Sequence, residues 1–291
     1  MKTIIITGAN SGIGYETAKA LALKGNTIIA ASRDREETRE KIKGLNEICD
    51  EATSRGKVVF YDLDLANLKS VREFVAEVTT DYPVIDTLIC NAGVMNTPYR
   101  LTVDGFETQF QVNFLSHFMI SHGVIDNLQK SETPKLINVC SASAEKGQID
   151  SLEELRRIST ISEDEYDAMT SYRESKLAQQ VSVMQFARQG QYQKIKFSLI
   201  HPGIVNTNLF YRNSGNLYKI VMLPFVYLGY VFGFFKTPKQ GAETSILLSE
   251  TDGYESGLYW TKQKQLPPNP ITENLEYSRE LWNWSVEQIS G

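Results

Sequence analysis

Cysteine and histidine are scarce in this chain of 291 residues, which contains three of each. The cysteines are far apart and odd in number, at Cys49, Cys90 and Cys140. The histidines are equally scattered, at His117, His122 and His201. Neither spacing fits a metal-binding motif, and unpaired thiols are typical of proteins in a reducing compartment. We therefore expect no metal site, and reduced cysteines in a cytoplasmic protein.

An excess of positive charge is also absent. Lys and Arg number 30 against 35 Asp and Glu, so the net charge is −5 and the pI is about 5.4. Proteins that bind nucleic acid usually carry a basic surface, so we expect no nucleic-acid partner. The composition is otherwise ordinary for a globular protein, with 42% hydrophobic and 22% charged residues.

The sequence has little that suggests a membrane segment. The apolar run at 4–6 is too short for a signal peptide, and we expect no targeting segment. The run LYKIVMLPFVYLGYVFGFF at 217–235 approaches the length of a spanning helix, but lysine, proline and glycine residues interrupt it. We expect no transmembrane segment and interpret about 204–237 as an apolar substrate flap. Peripheral membrane contact, core packing and a dimer interface are the alternatives for this run.

Strand and helix signals alternate along the chain. Apolar strands are predicted at 3–7, 27–32, 57–61, 86–90, 135–140, 195–200 and 257–260. Helices are predicted at 12–24, 34–54, 67–80, 104–130, 166–189 and 238–249, and from about 273. This alternation is typical of a parallel sheet covered on both faces. The sequence predicts one α/β domain over 1–291, a single-domain Rossmann fold with a doubly wound parallel sheet of about seven strands and helices on both faces.

A glycine-rich turn follows the first predicted strand. Glycines at 8, 12 and 14 let the backbone turn tightly and approach a pyrophosphate, which the N-terminus of the next helix would then bind. A tight turn without a ligand is the alternative. If a dinucleotide binds here, its contacts are expected at Gly8, Asn10, Ser11, Gly12, Ile13 and Gly14.

The end of the second predicted strand distinguishes the two nicotinamide cofactors. An NAD site usually has a carboxylate at this position, whereas the chain has Ser32 followed by Arg33. A guanidinium would bind the 2′-phosphate of NADP through charge-assisted hydrogen bonds. We therefore expect NADP(H) rather than NAD(H). In the alternative interpretation, Arg33 belongs to a surface turn and Asp34 reaches the ribose.

Two further segments are expected at the same crevice. Asp64 and Leu65 follow the third predicted strand, where a carboxylate could accept a hydrogen bond from the adenine amino group. An N-cap of the next helix is the alternative role for Asp64. The sequence Asn91-Ala92-Gly93 follows the fourth strand, where small residues would let the backbone lie against the cofactor, or would form a simple turn.

A tyrosine and a lysine share one face of a predicted helix. Tyr172 and Lys176 are four residues apart and point the same way. A nearby ammonium and an oxidised nicotinamide would both favour phenolate and lower the pKa of Tyr172, so that the phenol could shuttle a proton. An isolated pair of this kind is most often a feature of a helix surface.

These motifs occur together with others in a fixed order. Asn113 lies in QVNF at 111–114, Ser141 follows the fifth predicted strand, and HPGIVNT at 201–207 follows the sixth. Over nearly its whole length the chain resembles the short-chain dehydrogenase/reductase family. The resemblance implies an NADP-dependent oxidoreductase, an enzyme that moves a hydride between nicotinamide and a carbonyl or alcohol.

The resemblance also implies roles for four catalytic residues. Tyr172 is the general acid/base, and Ser141 polarises the carbonyl oxygen. Lys176 binds the nicotinamide ribose and lowers the pKa of Tyr172, and Asn113 holds a water that links Lys176 to solvent. Tyr172 and Lys176 therefore contact the cofactor too. Further cofactor contacts are implied after the sixth strand, at Pro202, Gly203, Val205 and Thr207 and at the main chain near Ile204.

Two departures from the family pattern leave alternatives open. Many relatives have Ser-Ser where this chain has Cys140-Ser141, and Ser143 is an alternative to Ser141 because it shares a strand face with it. The acidic segment between Ser141 and Tyr172, at about 145–170, is longer than usual. We interpret it as a solvated surface insertion, with a lid over the substrate as the alternative.

The chain most resembles the retinol dehydrogenase and protochlorophyllide reductase branch of the family. The segments at 33–34, 111–118, 235–238 and 256–260, and a C-terminal helix with Trp282, carry this resemblance. It implies a small hydrophobic carbonyl or alcohol substrate, and it allows a homodimer. A C=C reductase is the alternative activity, although no cysteine follows the sixth strand, where Ile204 stands. A non-catalytic NADP sensor is the alternative from another class of protein.

Overall fold

Eight β-strands form one sheet in the computed structural model, which describes residues 1–205, 235–261 and 263–290. The strands pair in parallel from β3 through to β7, and β8 is antiparallel to β7. The predicted fold class is confirmed. Strand β8 was not predicted, because all of its residues are exposed and it carries no apolar signal. In chain order the strands are β1 (Thr3–Thr7), β2 (Thr27–Ser32), β3 (Lys57–Asp62), β4 (Thr87–Cys90), β5 (Lys135–Val139), β6 (Lys196–His201), β7 (Leu258–Thr261) and β8 (Lys264–Leu266).

The order of the strands reverses between β1 and β4. Across the sheet the order is β3-β2-β1-β4-β5-β6-β7-β8. Strands β2 and β3 therefore lie on one side of β1. The chain then returns to place β4 on the other side of β1, and β5 to β8 follow beyond it. In doubly wound sheets the loops at the carboxyl ends of the strands separate at such a reversal and leave a crevice for a ligand.

Helices cover both faces of the sheet. Helices α1, α2 and α7 pack on one face, where they bury Leu21, Leu45 and Leu248. Helices α3, α4, α6 and α8 pack on the other face, where the rings of Phe186 and Trp282 are 4.6 Å apart. The helices are α1 (Gly12–Leu23), α2 (Glu36–Glu51), α3 (Leu68–Asp81), α4 (Ser116–Gln129), α5 (Leu152–Ser159), α6 (Ala168–Arg188), α7 (Pro238–Glu250) and α8 (Leu275–Ile289).

The long helix predicted at 104–130 is wrong in its first half. The chain forms a turn with Gly105 at φ +83°, a single helical turn at Thr108–Phe110 and a π-helical turn at Gln111–Leu115, and only then α4. Buried Glu107 sets the start, since its carboxylate accepts hydrogen bonds from the backbone N–H groups of Gln109 and Phe110 at 2.9 and 2.8 Å. A π-helical turn has no simple sequence signal and is often found at functional sites.

The acidic segment after Ser141 is more ordered than a solvated insertion. It contains a 3₁₀-helical turn at Ala142–Lys146 and the short helix α5, which was not predicted. Leu155 and Ile158 of α5 are buried, while Glu163, Asp164 and Glu165 are exposed. Two apolar side chains at helical spacing therefore dock a segment whose acidic residues face solvent.

No helix in the part of the chain that the structure describes is long and apolar enough to cross a membrane. The apolar run at 217–235 lies outside the described residues except for Phe235. The interpretation of about 204–237 as a flap therefore stays a prediction.

Candidate active site

A crevice of about 1540 Å³ opens at the carboxyl ends of the strands, at the reversal between β1 and β4. It brings together residues that are distant in sequence, from the glycine-rich turn to the segment after β6. Of the predicted site residues, Gly14 and Asn113 do not line the crevice, and Thr207 lies outside the described residues. Those that line it are Gly8, Asn10, Ser11, Gly12, Ile13, Arg33, Asp64, Leu65, Asn91, Ala92, Gly93, Ser141, Tyr172, Lys176, Pro202, Gly203 and Val205.

The glycine-rich turn has the geometry of a phosphate-binding loop. Gly12 has φ +57°, a backbone conformation that residues other than glycine rarely adopt. A Cβ on Gly14 would lie 2.3 Å from the carbonyl oxygen of Gly8 and 2.5 Å from Nδ2 of Asn91. The backbone at Gly14 is thus packed directly against Gly8 and Asn91, with no room for a side chain. This packing places Gly14 behind the residues that line the crevice. Ser11 precedes α1 without a side-chain capping hydrogen bond, so its hydroxyl does not occupy the N–H groups of the first turn.

The chain after β2 places two arginines at the crevice but not its aspartate. Arg33 and Arg35 line the crevice, but Asp34 does not. The Asp34 carboxylate is held by the guanidinium of Arg39 at 2.6 and 2.5 Å, and this hydrogen bond lowers the pKa of Asp34. The hydroxyl of Ser32 is buried at the same place and has no partner among the described residues. The residues present therefore fit a dinucleotide with its adenosine end at β2.

Asp64 does not cap the helix that follows it. Its Oδ1 accepts a hydrogen bond from the backbone N–H of Ala66 at 3.0 Å, and Asn67 is the N-cap of α3. The N-cap interpretation of Asp64 is therefore wrong. Its place at the crevice is compatible with the adenine contact, which stays a prediction.

Tyr172 and Ser141 meet where α6 passes the end of β5. Tyr172 is 5% exposed, and burial raises its pKa to about 12 although a hydrogen bond with Ser141 acts to lower it. The Oγ of Ser141 accepts a hydrogen bond from the backbone N–H of Ser143 at 3.1 Å. Ser143 also lines the crevice, but it contributes this backbone group to Ser141. The geometry therefore favours Ser141 over Ser143 as the partner of Tyr172.

The ammonium group of Lys176 has two hydrogen-bond partners within the protein. Its Nζ donates hydrogen bonds to the carbonyl oxygen of Val139 at 3.0 Å and to Oε1 of Gln179 at 3.2 Å. Burial lowers the pKa of Lys176, and burial is also the largest influence on the pKa of Tyr172, which it raises. In the protein alone, desolvation of the phenol thus outweighs the other influences on its pKa, and the lowering expected beside a bound cofactor stays a prediction.

Asn113 ties two segments together at the π-helical turn. Its Oδ1 accepts from the backbone N–H of Val94 at 2.9 Å, and its Nδ2 donates to the carbonyl oxygen of Val94 at 2.9 Å and to Oγ of Ser175 at 3.0 Å. Both side-chain donors are therefore used within the protein, and the residue is fully buried. The side chain holds the segment after β4 against α6, a connection that sequence reasoning did not predict.

The segment after β6 completes the crevice on the far side. His201, the last residue of β6, lines the crevice and accepts a hydrogen bond on Nδ1 from the backbone N–H of Ala142 at 3.2 Å. Burial and the charge of Lys236 lower its pKa to about 4. Gly203 has φ +91°, and the backbone N–H of Lys236 donates to the carbonyl oxygen of Ile204 at 2.8 Å.

Several lining residues were not among the predicted contacts. They come from the loop after β4, from the π-helical turn, from the 3₁₀-helical turn after β5 and from the start of α6. The apolar ones are Val94, Met95, Leu101, Val103, Val112 and Met169, and the cationic ones are Arg100, Lys146 and Arg173. Val112 and Arg173 lie within predicted motifs, but nothing in those motifs marked their side chains as crevice contacts. Of the acidic segment at about 145–170, Lys146 and Met169 line the crevice and the residues of α5 do not, so the lid interpretation stays a prediction.

The amino-acid sequence is similar to those of known dehydrogenases. The sequence model of the family described as short chain dehydrogenase matches residues 2–151. The chain is 37% identical to retinol dehydrogenase 14 of Mus musculus, over 99% of this chain and 86% of that protein. It is 34% identical to retinol dehydrogenase 13 of Mus musculus, over 99% of this chain and 84% of that protein.

The fold is similar to that of a solved structure of an uncharacterised protein from Mycobacterium Paratuberculosis. The TM-score is 0.74 at 27% sequence identity, over 100% of this chain and 94% of that chain. Together with the sequence matches, this shows that the chain belongs to the short-chain dehydrogenase/reductase family. Within the family it lies in the retinol dehydrogenase-like branch. It is an oxidoreductase of the class that transfers a hydride with a nicotinamide cofactor.

Proposed function

We propose that the protein is an NADP(H)-dependent oxidoreductase that interconverts a small hydrophobic carbonyl compound and its alcohol, with Tyr172 as general acid/base. One observation carries the proposal: Tyr172, Ser141 and Lys176 converge on the crevice that the glycine-rich turn and Arg33 also line. A proton donor, an oxygen-polarising hydroxyl and a cation are thus beside the place where the dinucleotide fits.

The chain itself would supply binding and proton transfer. When bound, the nicotinamide cofactor supplies or accepts the hydride. Backbone N–H groups at the start of α1 would hold its phosphates, and Lys176 would hold the ribose next to the nicotinamide.

The state of Tyr172 suits the reduction of a carbonyl. Because burial raises its pKa to about 12, the phenol holds its proton at neutral pH and can donate it to the substrate oxygen. Ser141 would hydrogen-bond to the same oxygen and stabilise the negative charge that develops on it. Alcohol oxidation needs the reverse transfer, so removal of the proton from the substrate would require that bound cofactor and Lys176 lower this pKa.

The preference for NADP rests on the end of β2. A 2′-phosphate would meet Arg33 and Arg35, and Asp34, whose carboxylate could have bound the ribose of NAD, is engaged by Arg39. Arg33 is a suitable partner because a guanidinium binds phosphate in a bidentate manner.

The substrate class rests on the apolar residues beyond Tyr172. Met95 and Met169 line the crevice there, and methionine adapts to substrates of irregular shape. The names of the two mouse relatives include retinol, so we propose a long apolar aldehyde or alcohol as the first substrate to test.

The test is NADPH oxidation, followed by its absorbance, with retinal-like and medium-chain aldehydes, aromatic ketones and steroid ketones. The same panel is run with Tyr172→Phe and with Tyr15→Phe as a matched change outside the crevice. We expect turnover on an apolar aldehyde that falls about 10²- to 10⁴-fold in Tyr172→Phe and stays unchanged in Tyr15→Phe. Undiminished turnover in Tyr172→Phe would refute the assigned acid/base.

A further inference from the structure

The buried imidazole of His117 joins two parts of the site without lining the crevice. His117 lies in the first turn of α4 and is 1% exposed. Its Nε2 is 3.0 Å from Oγ1 of Thr7, the last residue of β1, and its Nδ1 is 3.2 Å from the carbonyl oxygen of Asn113. One ring therefore bridges the strand before the glycine-rich turn and the π-helical turn.

The surroundings of Thr7 decide which nitrogen carries the proton. The backbone N–H groups of Asn91 and Ala92 donate to Oγ1 of Thr7 at 2.9 and 3.0 Å. A hydroxyl has two acceptor lone pairs and one proton, so with both lone pairs used Thr7 must donate its proton to Nε2 of His117. Nε2 is then the acceptor, and Nδ1 carries the proton and donates it to Asn113.

We propose that His117, as the neutral tautomer protonated on Nδ1, is a positioning residue that fixes the cofactor-side segment 91–93 and Asn113 relative to each other. The proposal rests on the proposed oxidoreductase function for its catalytic meaning. Its two hydrogen bonds have separate consequences: the one to Thr7 acts on the segment that would contact the cofactor, and the one to Asn113 acts on the turn behind the proposed acid/base.

The contacts of Asn113 show how a shift of the π-helical turn would reach the crevice. Asn113 holds the main chain of Val94 and the hydroxyl of Ser175, the residue next to Lys176. A Cβ on Gly93 would lie 3.1 Å from Oδ1 of Asn113 and 3.8 Å from Nζ of Lys176. Gly93, Asn113 and Lys176 are thus close-packed, and a displacement of one displaces the others.

The surroundings of the ring keep it neutral. Burial and the positive charge of Lys176 lower the pKa of His117 to about 3. An imidazolium would also place an N–H on Nε2 against an oxygen whose lone pairs are already used. His117 therefore acts through its hydrogen bonds and does not titrate in the working range.

Two variants separate the two hydrogen bonds. The amide of His117→Asn lies near the position of Nδ1 and retains a donor toward Asn113, but it cannot reach Thr7. The amide of His117→Gln reaches toward Thr7 with an acceptor and leaves the Asn113 carbonyl without its donor. We expect about a tenfold rise in the KM and Kd of NADPH for His117→Asn, and about a tenfold loss of kcat with smaller changes in KM for His117→Gln.

His122→Asn is the matched control. His122 lies on the same helix, is half-buried, and stacks on Phe118 with ring centroids 6.1 Å apart. It does not line the crevice, so we expect KM and kcat unchanged in this variant. Equal losses in both parameters for the two His117 variants, or the same losses in His122→Asn, would overturn the proposal.

Nuclear magnetic resonance of the imidazole nitrogens determines the tautomer and needs no enzymatic turnover. The chain has three histidines, so the imidazole ¹⁵N signals missing from His122→Asn and from His201→Asn identify those two rings, and the remaining signals belong to His117. We expect Nδ1 protonated and Nε2 unprotonated at neutral pH. An Nε2-protonated ring or an imidazolium would overturn the proposal even if the variants fail to fold. Absent turnover in the wild type would refute the proposed function alone, since the tautomer and the affinity for NADPH are measured independently.

Discussion

The two halves of the crevice are built from different kinds of structure. The cofactor half consists of the turns after β1, β2 and β3, where backbone geometry and glycines form the surface. The proposed substrate half consists of the segment that follows the cofactor-side residues 91–93, the 3₁₀-helical turn after β5 and the start of α6, where side chains from separate loops form the surface. A site made of backbone depends on a few residue types at fixed spacing, whereas a site made of loop side chains depends on how the loops pack. The first can therefore be found by a motif, and the second cannot.

After Tyr172→Phe, the largest effect is expected in the substrate half, from Ser141→Ala. The loss of a hydroxyl that stabilises charge on the substrate oxygen should lower kcat about 10²- to 10³-fold. The matched control is Ser143→Ala, which keeps the backbone N–H that donates to Ser141 and should change kcat less than about threefold. Steady-state kinetics distinguish the two serines, and the reverse pattern would transfer the role to Ser143.

The next effect is expected in the cofactor half, from Arg33→Ala. Loss of a charge-assisted hydrogen bond to the 2′-phosphate should weaken NADPH binding about 10- to 100-fold and leave the weaker binding of NADH unchanged. Arg55→Ala removes the same charge at an exposed position that does not line the crevice, and should alter neither. Calorimetric titration with both cofactors is the measurement. An equal loss of affinity for NADH would show that Arg33 does not distinguish NADPH from NADH through the 2′-phosphate.

Gly14→Ala tests whether the cofactor half depends on close backbone packing. The added Cβ would meet the carbonyl oxygen of Gly8 at 2.3 Å, so we expect destabilisation by about 1–3 kcal/mol and weaker NADPH binding. Gly44→Ala is the control, because Gly44 lies within α2 with open space around its Cα and the change should stabilise the helix by about 0.5–1 kcal/mol. Thermal unfolding of both variants checks this, and equal Tm values would contradict it.

The smallest effect on turnover is expected from Glu174→Gln, because Glu174 does not line the crevice. Burial raises the pKa of Glu174 to about 7, above its ordinary value near 4.5, despite Arg157 nearby. The folded state thus favours the protonated carboxyl, so wild-type stability is lost as the pH rises from about 4.5 to 7 and is level above that.

The variant should therefore match the wild type at about pH 4.5 and below, and exceed its free energy of unfolding by up to about 3 kcal/mol above neutral pH. Denaturant unfolding across this pH range is the measurement, with exposed Glu153→Gln as the control. A constant difference between variant and wild type at all pH values would show that Glu174 does not titrate in this window.

The fold was predictable because its signals are local and repeated. Apolar strands such as TIIIT at 3–7 and TIIAAS at 27–32 are buried on both faces, so their composition alone identified a parallel sheet. The elements that were missed have weak or contradictory signals. Strand β8 is exposed along its length, and the π-helical turn at 111–115 looks like ordinary helix in the sequence.

The amino-acid sequence by itself determined the sheet, the glycine-rich turn and the Tyr172–Lys176 pair, because strand burial, positive φ and helical spacing each restrict the residues that can occupy a position. Tertiary structure alone decided the electrostatics and the connections. The pKa of Tyr172 depends on how deeply the phenol is buried. The orientation of Asp34 depends on the position of Arg39, and the role of His117 depends on two partners from other elements. Desolvation and hydrogen bonding act between residues far apart in the chain, and only the folded arrangement fixes the distances on which they depend.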